Sequence, residues 1–295
     1  PGIRTTVFLK GCPLRCIWCH NPESQRMEAE YLFDYEVCHG CLGSGFACPL
    51  GVRSVTVTEF SVPGSSTVKK EYTADHCRSS LTDESLDTCP KRAVKNVGNS
   101  VVVDTLLSEV LEDVSYYQMT GGGLTISGGE PLAQATFARD LAKAAKAQGL
   151  HVCLDTSGYA TAESFRSILP WIDIFLFDYK ATGEDLHKKL TGVGQTRILD
   201  NLNLLMEAGA TVLLRCPLIP GVNDTPEHFK GILEIAERYP GLKGINVMPY
   251  HDMGNHKAAR LGESAPLIAL PSATPEQISG WMSLLSGAPC PVNLG

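Results

Sequence analysis

Residues 5–19 read TTVFLKGCPLRCIWC, a short apolar run followed at once by three cysteines. Three thiols so close together have no packing rationale as inert core side chains, and soft thiolates favour zinc, copper(I) or iron–sulfur clusters. Three ligands leave one coordination position open, which is typical of a catalytic site. Cys12, Cys16 and Cys19 are therefore predicted metal ligands. The alternative is a structural zinc site completed by His20 or a remote residue.

The composition of the chain argues against nucleic acid or a membrane as its main partner. The 295 residues carry a net charge of −7 and a sequence pI of about 5.6, with no basic run or basic amphipathic helix. The longest apolar runs have the length of strands, which is too short to span a bilayer. With 43% hydrophobic and 19% charged residues, the chain suits one large α/β domain with a small insert.

Eleven cysteines are many, and the number is odd. The first residues show no secretory signal, so we expect a cytoplasmic protein that uses its cysteines for metal or redox chemistry rather than for disulfides. Eight of the eleven lie within the first 89 residues, and Cys153, Cys216 and Cys290 are scattered. The first two of these scattered cysteines sit in strand-like runs and are interpreted as small core residues.

Most of the chain alternates short β-rich runs with segments of helical length. The runs are TTVFLKG (5–11), GLTISGG (123–129), HVCLDTS (151–157), IFLFDYK (174–180), TVLLRCPL (211–218) and INVMPYH (245–251). Each is nearly continuously apolar, as in strands of a parallel sheet covered by helices. The pattern predicts an α/β fold, a partial (β/α)6 TIM-like barrel, whose active-site residues lie at the C-terminal strand ends.

The predicted helices have clear boundary signals. Asp224 followed by Thr-Pro-Glu predicts an N-cap with proline in the first turn, and Thr274 begins a similar Thr-Pro-Glu-Gln segment. A leucine stripe that starts at Leu199 ends at Gly209, a plausible C′ glycine.

Residues 34–98 interrupt this alternation. They contain five cysteines, a polar Gly/Ser stretch and two Cys-Pro dipeptides. We therefore expect a small Cys-rich insert at 34–98, and a barrel made of residues 1–33 and 99–295. The cysteines of the insert are Cys38, Cys41, Cys48, Cys77 and Cys89.

Polar residues follow the later strands at the edge where a barrel holds its active site. Gly128, Gly129 and Glu130 end the second strand, where two glycines let a ligand approach and a carboxylate can receive an ammonium group. Asp178 and Lys180 share one face of a strand, so a local ion pair is the plainer interpretation of these two residues alone.

The cysteine loop resembles a known signature. C-x3-C-x2-C with Trp18 before the last cysteine is similar to the motif of radical S-adenosylmethionine (SAM) enzymes. The wider string GIRTTVFLKGCPLRCIWCHNPES (2–24) resembles the activating enzymes of glycyl radical enzymes, the group that includes pyruvate formate-lyase activating enzyme. The resemblance implies a [4Fe–4S] cluster on the three cysteines. Its open iron would chelate the amino and carboxylate groups of SAM, with Trp18 near the adenine.

The resemblance extends to the strand ends and implies one cofactor pocket there. DTSG (155–158), DYK (178–180) and VMPYH (247–251) are similar to family segments that surround the cofactor. A guanidinium on the fifth strand suits a carboxylate, either of the cofactor or of a bound peptide. The implied cofactor-binding residues are Trp18, Gly128, Gly129, Glu130, Asp155, Ser157, Asp178, Lys180, Arg215 and His251. The resemblance also implies that Asp155 and Asp178 hold a monovalent cation.

The insert departs from the family pattern. Some members carry a ferredoxin-like insert with eight cysteines and two further four-iron clusters, whereas this insert has five. By the ferredoxin ligation rule Cys38, Cys41 and Cys89 share one cluster, while Cys48 and Cys77 belong to the other, so neither set reaches four. We expect one accessory [4Fe–4S] cluster. A zinc site, ligation by insert histidines, and a degenerate domain remain open.

The activity implied by the resemblance is that of an oxidoreductase that cleaves SAM reductively. The resulting 5′-deoxyadenosyl radical abstracts a glycine Cα hydrogen from a partner glycyl radical enzyme. A flavodoxin- or ferredoxin-type electron donor and a monomeric state are also expected. The alternatives are a radical enzyme acting on a small molecule or peptide, and a non-catalytic iron–sulfur or zinc protein. The segment HDMGNHKAARLG (251–262) favours the activating group.

The sequence does not name the glycyl radical enzyme. A dehydratase, a lyase of C–N or C–S bonds, a decarboxylase and an alkylsuccinate synthase are all candidates. The insert argues against pyruvate formate-lyase, because the activator of that enzyme resembles the form without an insert.

Overall fold

The computed structural model describes residues 2–38, 54–61, 68–75, 89, 91–261 and 272–295. Its strands are β1 (Arg4–Leu9), β2 (Glu30–Phe33), β3 (Ser54–Ser61), β4 (Val68–Asp75), β5 (Val94–Val97), β6 (Gly123–Gly128), β7 (His151–Thr156), β8 (Ile174–Asp178), β9 (Val212–Leu218), β10 (Gly244–Pro249) and β11 (Val292–Leu294). Its α-helices are α1 (Tyr35–Cys38), α2 (Val103–Leu111), α3 (Val114–Thr120), α4 (Ala135–Ala147), α5 (Ala162–Ile168), α6 (Glu184–Thr191), α7 (Thr196–Glu207), α8 (Pro226–Arg238), α9 (Met253–Leu261) and α10 (Pro275–Leu284).

Seven parallel strands form one sheet in the order β1-β6-β7-β8-β9-β10-β11. All six predicted strands are confirmed, and helices follow them as the alternating pattern predicts. The strand β11 was not predicted, because three residues are too few to show a period. Since β1 and β11 stand at opposite ends of the strand order, the described strands make a partial barrel and not a closed one. The predicted α/β fold is confirmed.

Alternation along the strands separates the core from the site. Leu124 and Ile126 of β6 are fully buried and pack with Leu141 of α4. Each such side chain contributes about 2 kcal/mol by leaving water. Because successive side chains point to opposite faces, Thr125 and Ser127 lie on the other side of the sheet. The apolar layer under the helices therefore supports a polar inner face.

The helix boundaries confirm two of the three sequence signals. Thr274 and Gln277 form a reciprocal capping box at the start of α10, and Gly209 follows α7 with a left-handed φ of 71°. The predicted cap Asp224 is wrong, because Thr225 occupies the N-cap of α8 and its side chain accepts the His228 N–H. The aspartate instead accepts a backbone N–H in the preceding turn. No helix in the described part of the chain has the length and apolarity needed to cross a bilayer.

Two antiparallel pairs lie outside the main sheet. β2 pairs with β5, and β3 pairs with β4. The first pair brings residues 30–33 beside residues 94–97, close to both ends of the predicted insert. The boundaries of that insert stay a prediction.

Helix α8 carries a buried histidine that packs against the end of β8. His228 is fully buried, its ring stacks on Tyr179 with centroids 5.4 Å apart, and its Nδ1 lies 3.0 Å from Thr182 Oγ1. Its Nε2 has no hydrogen-bond partner among the described residues. Burial, with a smaller contribution from the charge of His187, lowers the pKa of His228 to about 4.

This depressed pKa predicts a loss of stability on acidification. The unfolded chain binds the proton with a pKa of about 6.5, so lowering the pH from 7 to 5 stabilises the unfolded state by about 2 kcal/mol through this group. The variant His228→Gln should be less stable than wild type at pH 7, but its free energy of unfolding should fall less than that of wild type on acidification. Urea midpoints of both proteins at the two pH values measure the difference. Equal pH slopes would contradict the assignment.

Candidate active site

The cysteine loop that follows β1 is held on both sides by backbone hydrogen bonds. The N–H groups of Gly11 and Cys12 donate to the carbonyls of Ser24 and Gln25, at 2.8 and 2.9 Å. On the other side, the N–H of Arg15 donates to the carbonyl of the last residue of α6, at 2.6 Å. The loop is therefore fixed between a turn of the chain that follows it and the end of a helix.

A cavity of about 280 Å³ lies against this loop, at the C-terminal ends of the strands. The predicted residues that line it are Cys12, Cys16, Trp18, Cys19, Gly128, Gly129, Asp155, Ser157, Asp178, Lys180, Arg215 and His251. Among the residues predicted for the cysteine-loop cluster and the cofactor pocket, Glu130 alone does not line it. Parallel strands end at one edge of the sheet, so side chains far apart in sequence meet there.

Four charged side chains form a connected network in the cavity wall. Lys180 Nζ lies 2.6 Å from Asp178 Oδ2, and Arg215 Nη1 lies 2.5 Å from Asp155 Oδ1. Arg215 Nε lies 3.5 Å from the other oxygen of Asp178. Burial by itself would raise the pKa of Asp178, but the Lys180 and Arg215 charges outweigh it and lower that pKa. Two carboxylates and two cations thus balance each other in a desolvated wall.

Burial also raises the pKa of the loop thiols, and there the nearby positive charges do not outweigh it. Desolvation raises the pKa of Cys12 to about 11 and the pKa of Cys16 to about 12. Such thiols stay protonated unless a metal binds them, because coordination stabilises the thiolate. A structural zinc site takes four protein ligands, whereas a four-iron cluster takes one thiolate per iron and can leave its fourth iron open. The three thiols that line the cavity therefore fit a cluster better than a structural zinc site.

Glu130 is held inside the protein. Its carboxylate is fully buried and accepts the N–H and Oγ of Ser157 at 2.7 and 2.6 Å. It also accepts the Oγ1 of Thr156 and the N–H of Leu132, at 2.9 and 3.1 Å. Burial raises the pKa of Glu130, while these hydrogen bonds favour its ionised form. In this structure the side chain orients the end of β7, and the cofactor role predicted for it stays a prediction.

Replacement of Glu130 by glutamine should destabilise the protein by about 2 kcal/mol. The amide NH2 cannot accept the donors that now meet one of the carboxylate oxygens, so a buried donor loses its partner. Urea unfolding midpoints of wild type and Glu130→Gln measure the effect. Glu163 on α5 is exposed, and Glu163→Gln should change stability by less than about 0.5 kcal/mol. Equal effects of the two substitutions would remove the assigned role of Glu130.

The two glycines of the Gly-Gly-Glu segment are required by backbone packing. A Cβ on Gly128 would lie 2.1 Å from the Leu9 carbonyl oxygen, and a Cβ on Gly129 would lie 2.4 Å from the carbonyl oxygens of Gly11 and Ser24. Any other residue there would push the start of the cysteine loop away from β6. Both glycines also line the cavity, so the predicted approach of a ligand is compatible with this packing.

Several residues that line the cavity were not predicted as cofactor-binding residues, and three of them contact predicted ones. Ser127 Oγ donates to Asp155 Oδ2 at 2.7 Å, and the Sδ of Met248 lies 2.9 Å from Arg215 Nε. The ring of His20 stacks on a second imidazole, that of His251, with centroids 4.1 Å apart. Ser127 and His20 each neighbour a predicted residue in sequence, and Met248 lies in the segment VMPYH (247–251), but only the structure shows the contacts.

Helix α9, in the C-terminal segment 251–262, packs directly on the cysteine loop. A Cβ on Gly254 would lie 2.8 Å from the Cys19 carbonyl oxygen, so glycine permits the close approach. Lys257 Nζ donates to Asn21 Oδ1 and Glu23 Oε1, at 2.8 and 2.7 Å. The helix thereby holds the chain just after the third cysteine of the loop.

The predicted accessory ligands are only partly described. Cys38 and Cys89 are both buried, and the N–H of Ala93 donates to Cys89 Sγ at 3.4 Å. Cys41, Cys48 and Cys77 lie outside the described residues.

The chain also matches the sequence models of two protein families that agree with this fold and with the three-thiol cavity. The model of the radical SAM superfamily matches residues 89–235. A model described as a 4Fe-4S single cluster domain matches residues 1–43, which include the cysteine loop. The crystal structure of a domain of pyruvate-formate lyase-activating enzyme from Bacteroides vulgatus ATCC 8482 covers 59% of this chain and 99% of its own, with a TM-score of 0.50 and 27% identity. This chain is accordingly a radical SAM protein with a [4Fe–4S] cluster.

Curated relatives narrow the class further. The choline trimethylamine-lyase activating enzyme of Oleidesulfovibrio alaskensis is 36% identical over 92% of this chain and 86% of its own length. The trans-4-hydroxy-L-proline dehydratase activating enzyme of Clostridioides difficile is 37% identical, with coverages of 87% and 82%. The benzylsuccinate synthase activating enzyme of Thauera aromatica is 35% identical, with coverages of 90% and 78%. The chain belongs to the family of glycyl radical enzyme activating enzymes.

Proposed function

We propose that the cavity beside the cysteine loop is where this activating enzyme binds SAM and prepares the radical chemistry that activates a glycyl radical enzyme. One observation carries the proposal: all three loop thiols and the Asp155–Arg215–Asp178–Lys180 network line a single cavity. When bound, the [4Fe–4S] cluster and SAM supply one-electron reductive cleavage and a hydrogen-abstracting radical. The protein binds, orients and desolvates these groups.

The charges of the cavity wall suit a zwitterionic cofactor. SAM carries a carboxylate, an ammonium group and a sulfonium. Lys180 and Arg215 can receive the carboxylate, while Asp155 and Asp178 attract the two positive groups. Because the network is preformed and largely buried, it costs little reorganisation when the cofactor enters. The monovalent cation proposed for the two aspartates would have to share their oxygens with Arg215 and Lys180.

We assign the partner enzyme by its class. The relatives are named as activating enzymes of a choline trimethylamine-lyase, a trans-4-hydroxy-L-proline dehydratase and a benzylsuccinate synthase, at nearly equal identities of 35–37%. We infer that this chain acts on a glycyl radical enzyme and receives electrons from a flavodoxin- or ferredoxin-type donor. A monomeric, cytoplasmic protein is part of the same proposal.

A separate part of the proposal concerns the cysteines of the insert. We propose one further [4Fe–4S] cluster in the insert, with ligands drawn from Cys38, Cys41, Cys48, Cys77 and Cys89. The buried positions of the first and last of these cysteines are compatible with ligation.

Anaerobic reconstitution tests the main proposal. Protein loaded with iron and sulfide, given SAM and a strong chemical reductant, should release 5′-deoxyadenosine. Incubation with candidate glycyl radical enzymes should give the EPR signal of a glycyl radical with the cognate partner. Absence of 5′-deoxyadenosine from iron-replete protein would refute the proposed activity.

A further inference from the structure

A second concave surface lies on the other side of the cysteine loop. It is a groove of about 490 Å³ between the loop, the chain at residues 25–28 and the segment that follows β7. Cys12 and Gln25 line both this groove and the active-site cavity. The groove therefore touches the wall of the cluster site from outside.

The groove is basic, although the protein is acidic. Arg15, Arg26 and Arg197 line it, and Glu28 is the carboxylate among its described lining residues. The local charge of these four side chains is +2, whereas the whole chain carries −7. A positive surface on a negative protein steers an acidic partner to one face and suppresses other orientations.

Two of the arginines are exposed and held in place. The guanidinium of Arg197 lies 4.8 Å from the ring centre of Tyr159, and Arg15 Nη1 donates to the carbonyls of Cys12 and Leu14, at 2.6 and 2.8 Å. Within the described ranges no carboxylate forms an ion pair with either of these two arginines. Side chains already ordered lose less entropy when a partner binds.

Apolar residues complete a surface suited to a protein partner. Met27 is 52% exposed beside the groove, and Leu132, Ala133 and Ala160 also line it. Methionine, tyrosine and arginine are enriched at protein–protein interfaces, with apolar contacts at the centre and charges at the rim.

We propose that this groove docks the acidic one-electron donor protein of the enzyme. The inference rests on the proposed function, which requires one electron per SAM cleaved: the docked donor is oxidised by one electron and the cluster is reduced by one electron, with no bond exchanged. Cys12 separates the groove from the cluster site, so an electron has only a short distance to cross there. Because the rate of electron transfer falls steeply with distance, a donor docked in this groove would reduce the cluster faster than one bound elsewhere. A glycine Cα must instead enter the cavity itself, which argues against the glycyl radical partner as the occupant.

Charge reversal at the groove tests the proposal. The probe is an oxidised flavodoxin of net negative charge, titrated against the reconstituted enzyme by calorimetry at low and physiological salt. Arg197→Glu should weaken binding by about 10-fold or more at low salt, and Arg197→Gln should weaken it less. The matched control is Arg238→Glu, since Arg238 is likewise exposed and lies over Tyr239, at 5.4 Å, away from the groove. The control should bind as wild type does.

A second measurement separates docking from chemistry. With dithionite as reductant, Arg197→Gln should form 5′-deoxyadenosine at the wild-type rate, because a small reductant needs no docking surface. With reduced flavodoxin at subsaturating concentration, the same variant should be slower. Equal flavodoxin affinity in wild type and Arg197→Glu would overturn the proposal, as would weakened binding of the glycyl radical enzyme without a change for flavodoxin. A wild-type enzyme inactive with dithionite would instead refute the proposed function.

Discussion

The variant Cys16→Ala is expected to form no detectable 5′-deoxyadenosine and to lose the iron bound at the cavity. Cys12, Cys16 and Cys19 are the thiols that line this cavity in the described part of the chain, so no other described thiol stands where it could replace Cys16. A cluster with two remaining protein ligands has no stable attachment. Iron and sulfide analysis and chromatography of the nucleoside product measure the two effects.

A core cysteine provides the control for this substitution. Cys153 of β7 is 2% exposed and does not line the cavity. Cys153→Ala should keep the iron content and the product yield, apart from a modest loss of stability. If Cys16→Ala retained wild-type product formation, the cluster assignment would be wrong.

The insert can be examined in the same series. Simultaneous replacement of Cys12, Cys16 and Cys19 by alanine should leave about four iron atoms per chain if the proposed accessory cluster exists. A triple variant without iron or sulfide would end that proposal, and it would leave the assignment of the loop cysteines intact.

The second largest effect, on both stability and SAM binding, is expected from removing Arg215, the cation that Asp155 and Asp178 share in the cavity wall. Arg215→Met should lower the free energy of unfolding by about 3 kcal/mol, because Asp155 loses its ion pair and Asp178 keeps only Lys180. The pKa of Asp178 should rise, since one of the two cations that lower it is gone. SAM binding to the reconstituted protein should weaken by at least about 10-fold, because a carboxylate partner is lost and the acids repel each other.

Two further variants make this result interpretable. Arg215→Lys keeps the charge, but a single ammonium cannot contact both carboxylates in the way a guanidinium does, so it should fall between wild type and Arg215→Met. Arg139 forms an exposed ion pair with Asp140, and Arg139→Met should cost less than about 1 kcal/mol. Unchanged unfolding midpoints and SAM affinity in Arg215→Met would contradict the role given to the network.

Most of the fold and much of the candidate site could be predicted from local sequence patterns. The six long strands were visible because each buries a continuous apolar run, and the cysteine loop was visible because its three thiols lie close in sequence. The strand-end acids and bases were then predictable from topology, since parallel strands deliver their C-terminal ends to one edge. Features that are short or have no repeating pattern were not predicted. Examples are β11 and the use of Thr225, not Asp224, as the N-cap of α8.

Spacing along the chain is enough to show which residue types stand at the strand ends and which three thiols form the loop. The direction in which each side chain points depends on packing in the folded chain. Tertiary packing turned Glu130 away from the cavity toward Ser157, because a buried carboxylate needs several donors at once. It also brought Arg197 to the groove behind Cys12, a juxtaposition across 185 residues that depends on packing and leaves no local pattern.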